Sequence, residues 1–434
     1  MVSLSLAPKP GPGYTSPRPR LNPTRRSRSR SRRQQGTLLL SPSTLRLSSS
    51  CHSSSSDRDR DRDRDSDRDS GGGGDEVLCG VQMGCGTWAW GNKLLWEYDA
   101  DTMDGELNKV FDLHVATRKT AFFDTGDSYG TGKLEGRSEQ LLGQFRTART
   151  ARRTNIRPAQ GKDSATSSGS SSGSSSGSPE GSCVFGTKLA VYPWRLTSES
   201  LVRACEASRE RMRVEQIELA QLHWSAANYA PLQERALWKG MGDIKERGLA
   251  KAVGVSNYGP KQLKKIHAYL AGRGVPLATC QVQLSLLSYD ELQKEVLAVC
   301  EELDIKVISY SPLALGLLTN KYAIGNKEGK GMEETRLPGG LRGLVFRNIL
   351  PGIRPLLSEL VEVAEDTHAT PSQVAIAWCM SKGTIPIPGA KNLSQAKQNI
   401  GSLDVNLSDL HCQALEAAAQ KCSSKMVQNI FQTG

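Results

Sequence analysis

The sequence predicts an α/β protein, a closed (β/α)8 barrel behind a long N-terminal extension. Three observations carry that reading. From about residue 76 onward, short apolar runs alternate with helix-length segments. The strand candidates number eight, starting near residues 81, 120, 183, 217, 251, 279, 305 and 384, and each is followed by helical sequence. Eight strand–helix units over roughly 350 residues suit a closed parallel barrel. Finally, the first strand lacks the turn that an open dinucleotide-binding sheet places there. MGCGTWAWG has glycines at 84, 86 and 91, not at G-x-G-x-x-G spacing, and leads into tryptophans and a loop.

The extension comes first in the chain. Residues 1–50 hold ten Lys or Arg and no Asp or Glu. Taking those ten from the net charge of +11 leaves +1 for everything after, so the basic character belongs to a tail. A terminus rich in Arg, Ser and Pro and free of acids matches an organellar transit peptide. Its RRSRSRSRR run also suits an RNA-binding arm or nuclear signal. Residues 51–75 follow with a serine run, DRDRDRDRD and four glycines. Alternating charges without an apolar face cannot bury a core, which predicts a disordered linker.

The barrel proper is expected over 76–434. VLCGVQMGCGT (77–87) reads as a lead-in hairpin and a first strand, and 101–117 as a helix. AFFDTGDSYG (121–130) is a buried strand ending at Asp124, with a polar loop beyond it. SEQLLGQF (138–145) is a short amphipathic helix, and the Ser/Gly stretch 160–182 is a flexible surface insertion. CVFGTK (183–188) resumes as a strand, and 197–212 is a helix opened by Thr197 as its cap. IELAQLH, KAVGVSN, TCQVQ, KVISY and TIPIPG supply the remaining strands. Helices are expected at 232–247, 260–271, 290–303, 355–368, 371–382 and 394–400, with an extra one at 408–420.

No apolar run approaches the length that spans a bilayer, so a membrane role is not indicated. The cysteines are spread singly, no pair has zinc or redox spacing, and a reducing compartment fits best. No metal site is expected.

Polar residues line up at successive strand ends, where a barrel of this kind carries its chemistry. Asp124 ends the second strand and Tyr129 follows in its loop; Lys188 ends the third strand and His223 the fourth. Such a quartet suits carbonyl reduction. Hydride arriving at a carbonyl carbon leaves an alkoxide that needs a proton. A phenol supplies one, although its ordinary pKa is about 10. A lysine ammonium beside it would make it a better acid, with the aspartate holding that lysine. A neutral histidine would orient the carbonyl oxygen. Taken singly, each residue has an ordinary explanation: a capped turn, a solvated lysine, a core histidine. The case rests on all four falling at equivalent places.

At this point the residues resemble the aldo-keto reductase family, whose fold is a TIM barrel. FDTGDSYG is similar to its aspartate–tyrosine motif, FGTK to its lysine strand and LHW to its histidine strand. The resemblance implies NADPH as cofactor. It carries the nicotinamide-amide role to Ser256, Asn257 and Gln281, and ring stacking to Tyr310. Ser311, Leu313 and Gly316 fall where the family binds pyrophosphate. Within IPGAKNLSQAKQN, it implies an adenosine segment including Gly389, with Lys391 at the 2′-phosphate and Gln395 and Asn399 near the adenine. Trp88, Trp90, Trp194 and Trp224 lie just past strand ends, as aromatic walls for a ring-shaped substrate. Gly126 departs from the family's usual alanine, and the 160–182 insertion is not part of its pattern.

The expected activity is NADPH-dependent reduction of a small-molecule aldehyde. The alternatives are a broad-range aldehyde or ketone reductase, or, in a different class, a cofactor-sensing or RNA-associated binding protein. The sequence assigns no interface between subunits, and an intact quartet argues against a purely non-catalytic role.

Overall fold

The computed structural model describes residues 77–130, 135–156, 183–322, 337–426, 428–429 and 431–434. The expected transit segment, the 51–75 linker and the 160–182 insertion lie outside the described residues. Eight parallel strands form one sheet in chain order: β1 (Gly84–Gly86), β2 (Phe122–Asp124), β3 (Val184–Leu189), β4 (Ile217–Leu222), β5 (Ala250–Ser256), β6 (Leu277–Gln283), β7 (Lys306–Tyr310) and β8 (Ile385–Ile387). Beyond β8 the sheet curls back on its start. Gly86 bridges Gly389, and the Gly86 N–H donates to the Pro388 carbonyl at 3.2 Å. The (β/α)8 barrel expected from the alternating pattern is therefore the fold observed.

Helices wrap the sheet: α1 (Lys93–Trp96), α2 (Ala100–Ala116), α3 (Arg137–Ile156), α4 (Ser198–Met212), α5 (Pro231–Glu246), α6 (Pro260–Ala271), α7 (Glu291–Glu302), α8 (Gly340–Ile349), α9 (Arg354–Asp366), α10 (Pro371–Ser381), α11 (Leu393–Ile400) and α12 (Asp409–Gln420). Their starts are written in the sequence. Thr197 caps α4 in a reciprocal pair with Ser200, and Thr370 does the same for α10 with Gln373. Proline opens α5, α6 and α10, where its missing N–H costs nothing.

The barrel interior explains why Asp124 points inward. Phe122, on β2, fills the space between strands. A Cβ on Gly84 or Gly186 would come within 2.5 or 2.7 Å of its ring, so both neighbours must be glycine. Leu78 closes this end of the barrel with Phe122, Leu219, Ala252, Ile308, Ile385 and Ile387. Side chains alternate along a strand, so two residues beyond Phe122 the same face carries Asp124.

Three expectations need correction. The chain turns between Leu78 and Val81, with Val81 N–H bonded to the Leu78 carbonyl at 3.0 Å, and among the described residues no strand pair precedes β1. Leu78 is instead buried, 4% exposed, in the plug of the barrel. The helix expected at 138–145 runs on to Ile156, its extra turns held to α2 by Arg149 and Arg152 on Asp112 at 3.0 and 2.7 Å. Helix α8 was not expected: it has two internal glycines and no side-chain cap, and Phe346 buries it into a cluster with Leu350, Leu356 and Trp378.

Candidate active site

Asp124 and Lys188 meet inside the C-terminal mouth of the barrel. Lys188 Nζ lies 2.6 Å from both carboxylate oxygens, and the two residues are 1% and 2% exposed. Gln281 on β6 donates to Asp124 Oδ1 at 2.6 Å, so the carboxylate is held from two strands. Burial pushes the aspartate pKa up and the lysine pKa down, and each charge opposes the shift in the other. Isolating either charge would be costly, so the pair stands or falls together.

The loop after β2 is fastened to β3. Thr125 N–H donates to the Gly186 carbonyl at 2.8 Å, and Asp127 N–H to the Lys188 carbonyl at 3.0 Å. The Asp127 carboxylate accepts from Ala190 N–H at 3.1 Å and pairs with Arg195 at 2.6 Å. Behind β3, the buried Glu139 carboxylate accepts from the Thr187 hydroxyl and from Arg211 Nε. Tyr129 thus stands over the ion pair, with Lys188 Nζ 4.9 Å from its ring centre.

This differs from the expected arrangement in one respect. The sequence reading put the lysine charge beside the phenol to lower its pKa. In the structure, burial and then the Asp124 charge push the Tyr129 pKa well above its ordinary value. The ammonium is already compensated by Asp124, and desolvation wins. The phenol is therefore held in its protonated form.

His223 follows β4. Its backbone N–H donates to the Leu189 carbonyl at 3.1 Å, and its ring stands edge-on to Tyr129 at 5.8 Å. Burial and then the Lys188 charge push its pKa well below the usual histidine value, so the ring is neutral. Ser128 Oγ lies 3.4 Å from Nδ1; when that hydroxyl donates, Nε2 carries the ring proton.

The candidate cofactor residues line the adjoining strand ends. Ser256 ends β5. Asn257 follows at φ 61° and donates to the His223 carbonyl at 3.0 Å. The Tyr310 hydroxyl donates to Asn257 Oδ1 at 2.8 Å. Gln281 is turned to Asp124, a partner the sequence did not suggest. Past β7, Ser311, Ala314, Leu315 and Gly316 all have positive φ, and Leu313 lies between them. Such left-handed residues turn backbone amides into a concave seat for an anion. After β8, Gln395 Oε1 accepts from Lys391 N–H at 2.9 Å, and Asn399 donates to the Gly389 carbonyl at 3.3 Å. An anion seat, a half-buried cation and the aromatic Tyr310 are the donor set a phosphorylated dinucleotide needs, so these residues fit one.

The four tryptophans separate. Trp224 tilts against His223 at 5.0 Å. Trp194 is 65% exposed and stacks on Tyr192 at 4.5 Å. Trp88 meets Trp96 edge-on at 5.9 Å. Trp90 is a correction: it is 0% exposed, donates to the Ala390 carbonyl at 3.0 Å and packs on Phe123 and Phe145. Its size and apolar neighbours make it core, so it walls no substrate.

The sequence reading missed the C-terminal strap. Phe431 stacks on Trp224 at 4.6 Å, Asn429 donates to the Tyr310 hydroxyl at 3.1 Å, and Thr433 N–H donates to the Asn257 carbonyl at 3.3 Å. One short segment touches both the aromatic wall and the candidate cofactor residues. The aromatic Phe431 within the terminal MVQNIFQTG was the available signal.

Comparisons with known proteins agree with the barrel fold. A sequence profile described as the aldo/keto reductase family matches residues 82–420. The chain is 48% identical over 351 residues to "Pyridoxal reductase, chloroplastic" of Arabidopsis thaliana, covering 81% of this chain and 86% of that protein. It is 32% identical over 344 residues to an uncharacterized oxidoreductase of Mycobacterium bovis, covering 78% and 89%. Among solved structures, glycerol dehydrogenase AKR11B4 from Gluconobacter oxydans superposes with a TM-score of 0.57 at 20% identity, covering 80% of this chain and 93% of that one. A Bombyx mori aldo-keto reductase in complex with NADP gives 0.52 at 18% identity, covering 77% and 88%. At these identities the two structures speak for the fold alone.

Proposed function

The chain belongs to the aldo/keto reductase family, and from that premise we propose that it reduces pyridoxal to pyridoxine with NADPH. The observation that carries the chemistry is the sealed Asp124–Lys188 pair beneath a protonated Tyr129 and beside a neutral His223. The substrate rests on the Arabidopsis relative named as a pyridoxal reductase. Segments such as GTWAWGNKLLW, YPWRLTS and LHWSAANYAPLQE resemble plant plastid pyridoxal reductase.

Bound NADPH supplies the hydride that the aldehyde carbon accepts. Tyr129 and His223 hold the carbonyl oxygen from two sides, and the Tyr129 O–H gives its proton to that oxygen as charge develops. The phenolate left behind is steadied by the Lys188 ammonium under its ring. Asp124 and Gln281 keep that ammonium in place. Neutral His223 contributes an N–H without competing for the proton. Ser256, Asn257, Gln281, Tyr310, Ser311, Leu313, Gly316, Gly389, Lys391, Gln395 and Asn399 are the residues assigned to hold the cofactor. Trp88, Trp194 and Trp224, with Phe431, are assigned to the aromatic ring of the substrate.

The test is direct. The wild-type chain consumes NADPH when given pyridoxal, with a higher kcat/KM than for small aliphatic aldehydes. Tyr129→Phe loses at least about a hundredfold in kcat, the scale of general acid catalysis, while NADPH still binds. A variant that keeps full activity would refute the mechanism, and equal kcat/KM across the panel would replace pyridoxal with a broad-range assignment. We place the protein in the plastid, where the Arabidopsis relative's name puts that protein.

A further inference from the structure

Helix α8 and the segment after β8 bring two cations onto one indole. Arg342 Cζ lies 4.6 Å from the Trp96 ring centre, and Lys391 Nζ lies 5.8 Å from it. The guanidinium is moored: Arg342 Nε and Nη2 donate to the Leu315 carbonyl at 3.2 and 2.8 Å. That carbonyl belongs to the left-handed turn at 314–316, and a Cβ built on Gly316 would come 3.0 Å from Arg342 Nη2. The Trp96 indole N–H is buried and has no hydrogen-bond partner among the described residues.

Two like charges on one half-buried ring repel each other. Burial and then the Arg342 charge push the Lys391 pKa below the ordinary lysine value. Tyr322 interacts with Arg342 first, and Glu97 is the acid whose charge reaches both cations, yet among the described residues no ion pair joins either of them to a carboxylate. A buried N–H donor without a partner and two neighbouring cations without a carboxylate among the described residues are mutually unfavourable. They become favourable around a dianion, which can take a charge-assisted bond from each.

We propose that Arg342 and Lys391, set across Trp96, form a two-cation seat for the 2′-phosphate of the cofactor, with the Trp96 N–H as a third donor. Arg342 then adds a preference for the phosphorylated dinucleotide beyond what Lys391 supplies alone. It belongs to an unanticipated helix rather than to the adenosine segment. The inference rests on the NADPH reading above and extends it to named specificity residues.

The test is calorimetric titration of the full chain with NADPH and with NADH, without aldehyde, so that turnover plays no part. Arg342→Met keeps an unbranched stem against the indole and removes the charge. It should weaken NADPH binding roughly tenfold to a hundredfold, the scale of a charged hydrogen bond, and change NADH binding by less than about threefold. Arg342→Lys should recover part of the loss. Trp96→Phe keeps a ring and removes the N–H, and should weaken NADPH severalfold with NADH unchanged. Unaltered NADPH affinity in Arg342→Met, or an equal loss for both nucleotides, overturns the seat while leaving the reductase reading intact. A wild-type chain that binds neither nucleotide overturns both.

Discussion

At the scale of single residues, the site is governed by what burial does to charge. Asp124 and Lys188 are tolerable inside the barrel only as a pair, so the cost of losing one exceeds the cost of losing both. Asp124→Asn should therefore destabilise the fold by about 3–5 kcal/mol in urea unfolding, because it strands the ammonium. Adding Lys188→Met to that variant should restore part of the loss, although neither protein would turn over. Additive costs would mean the two charges do not depend on each other. The identities of these residues were legible in the sequence because each falls at or beside a strand end, and a closed barrel collects strand ends. The sign of the Tyr129 shift was not, since it depends on desolvation against an already neutralised lysine. Trp90 misled for a related reason: its position past a strand end matched the mouth, but only packing reveals that its ring turns inward.

At the scale of elements, the alternation of strand and helix was readable almost throughout, because caps and apolar periodicity agree with the observed bounds. Thr197, Thr370 and Ser408 each announce a helix by chemistry that is local in sequence. Helix α8 escaped because its stability comes from tertiary burial of Phe346, against its own glycines. The join between α2 and β2 holds a further consequence. His114 is buried there, its Nδ1–H donating to the Thr120 carbonyl at 3.1 Å while Nε2 has no partner among the described residues. Burial lowers its pKa from 6.5 to about 4. Above pH 6.5 the ring is neutral whether folded or unfolded, and the residue makes no difference to pH dependence. Between 6.5 and 4 only the unfolded chain takes up the proton, so stability falls with pH, by ~3 kcal/mol in all. Replacing His114 by Asn, which keeps a donor toward Thr120, should flatten the dependence of unfolding free energy on pH in that window. Identical slopes for the two proteins would exclude His114 as a source of acid lability.

At the scale of the whole molecule, the chain divides into a basic, acid-free terminus and a near-neutral barrel, and composition alone makes that division. A fusion of residues 1–75 to a fluorescent protein should mark plastids in plant cells; a nuclear signal would instead favour the RNA-associated reading of its Arg/Ser tract. What composition could not supply is the path of the C-terminal segment across the mouth, because contacts at long sequence separation leave no period to read. The barrel as a whole also decides what the solvent can reach. The amine that anchors the site is held by Asp124, lies beneath the Tyr129 ring and is 1% exposed. Reagents that acylate lysines on the folded surface should pass it by. A label on that nitrogen would then record that the barrel had opened, making Lys188 a built-in clock for unfolding.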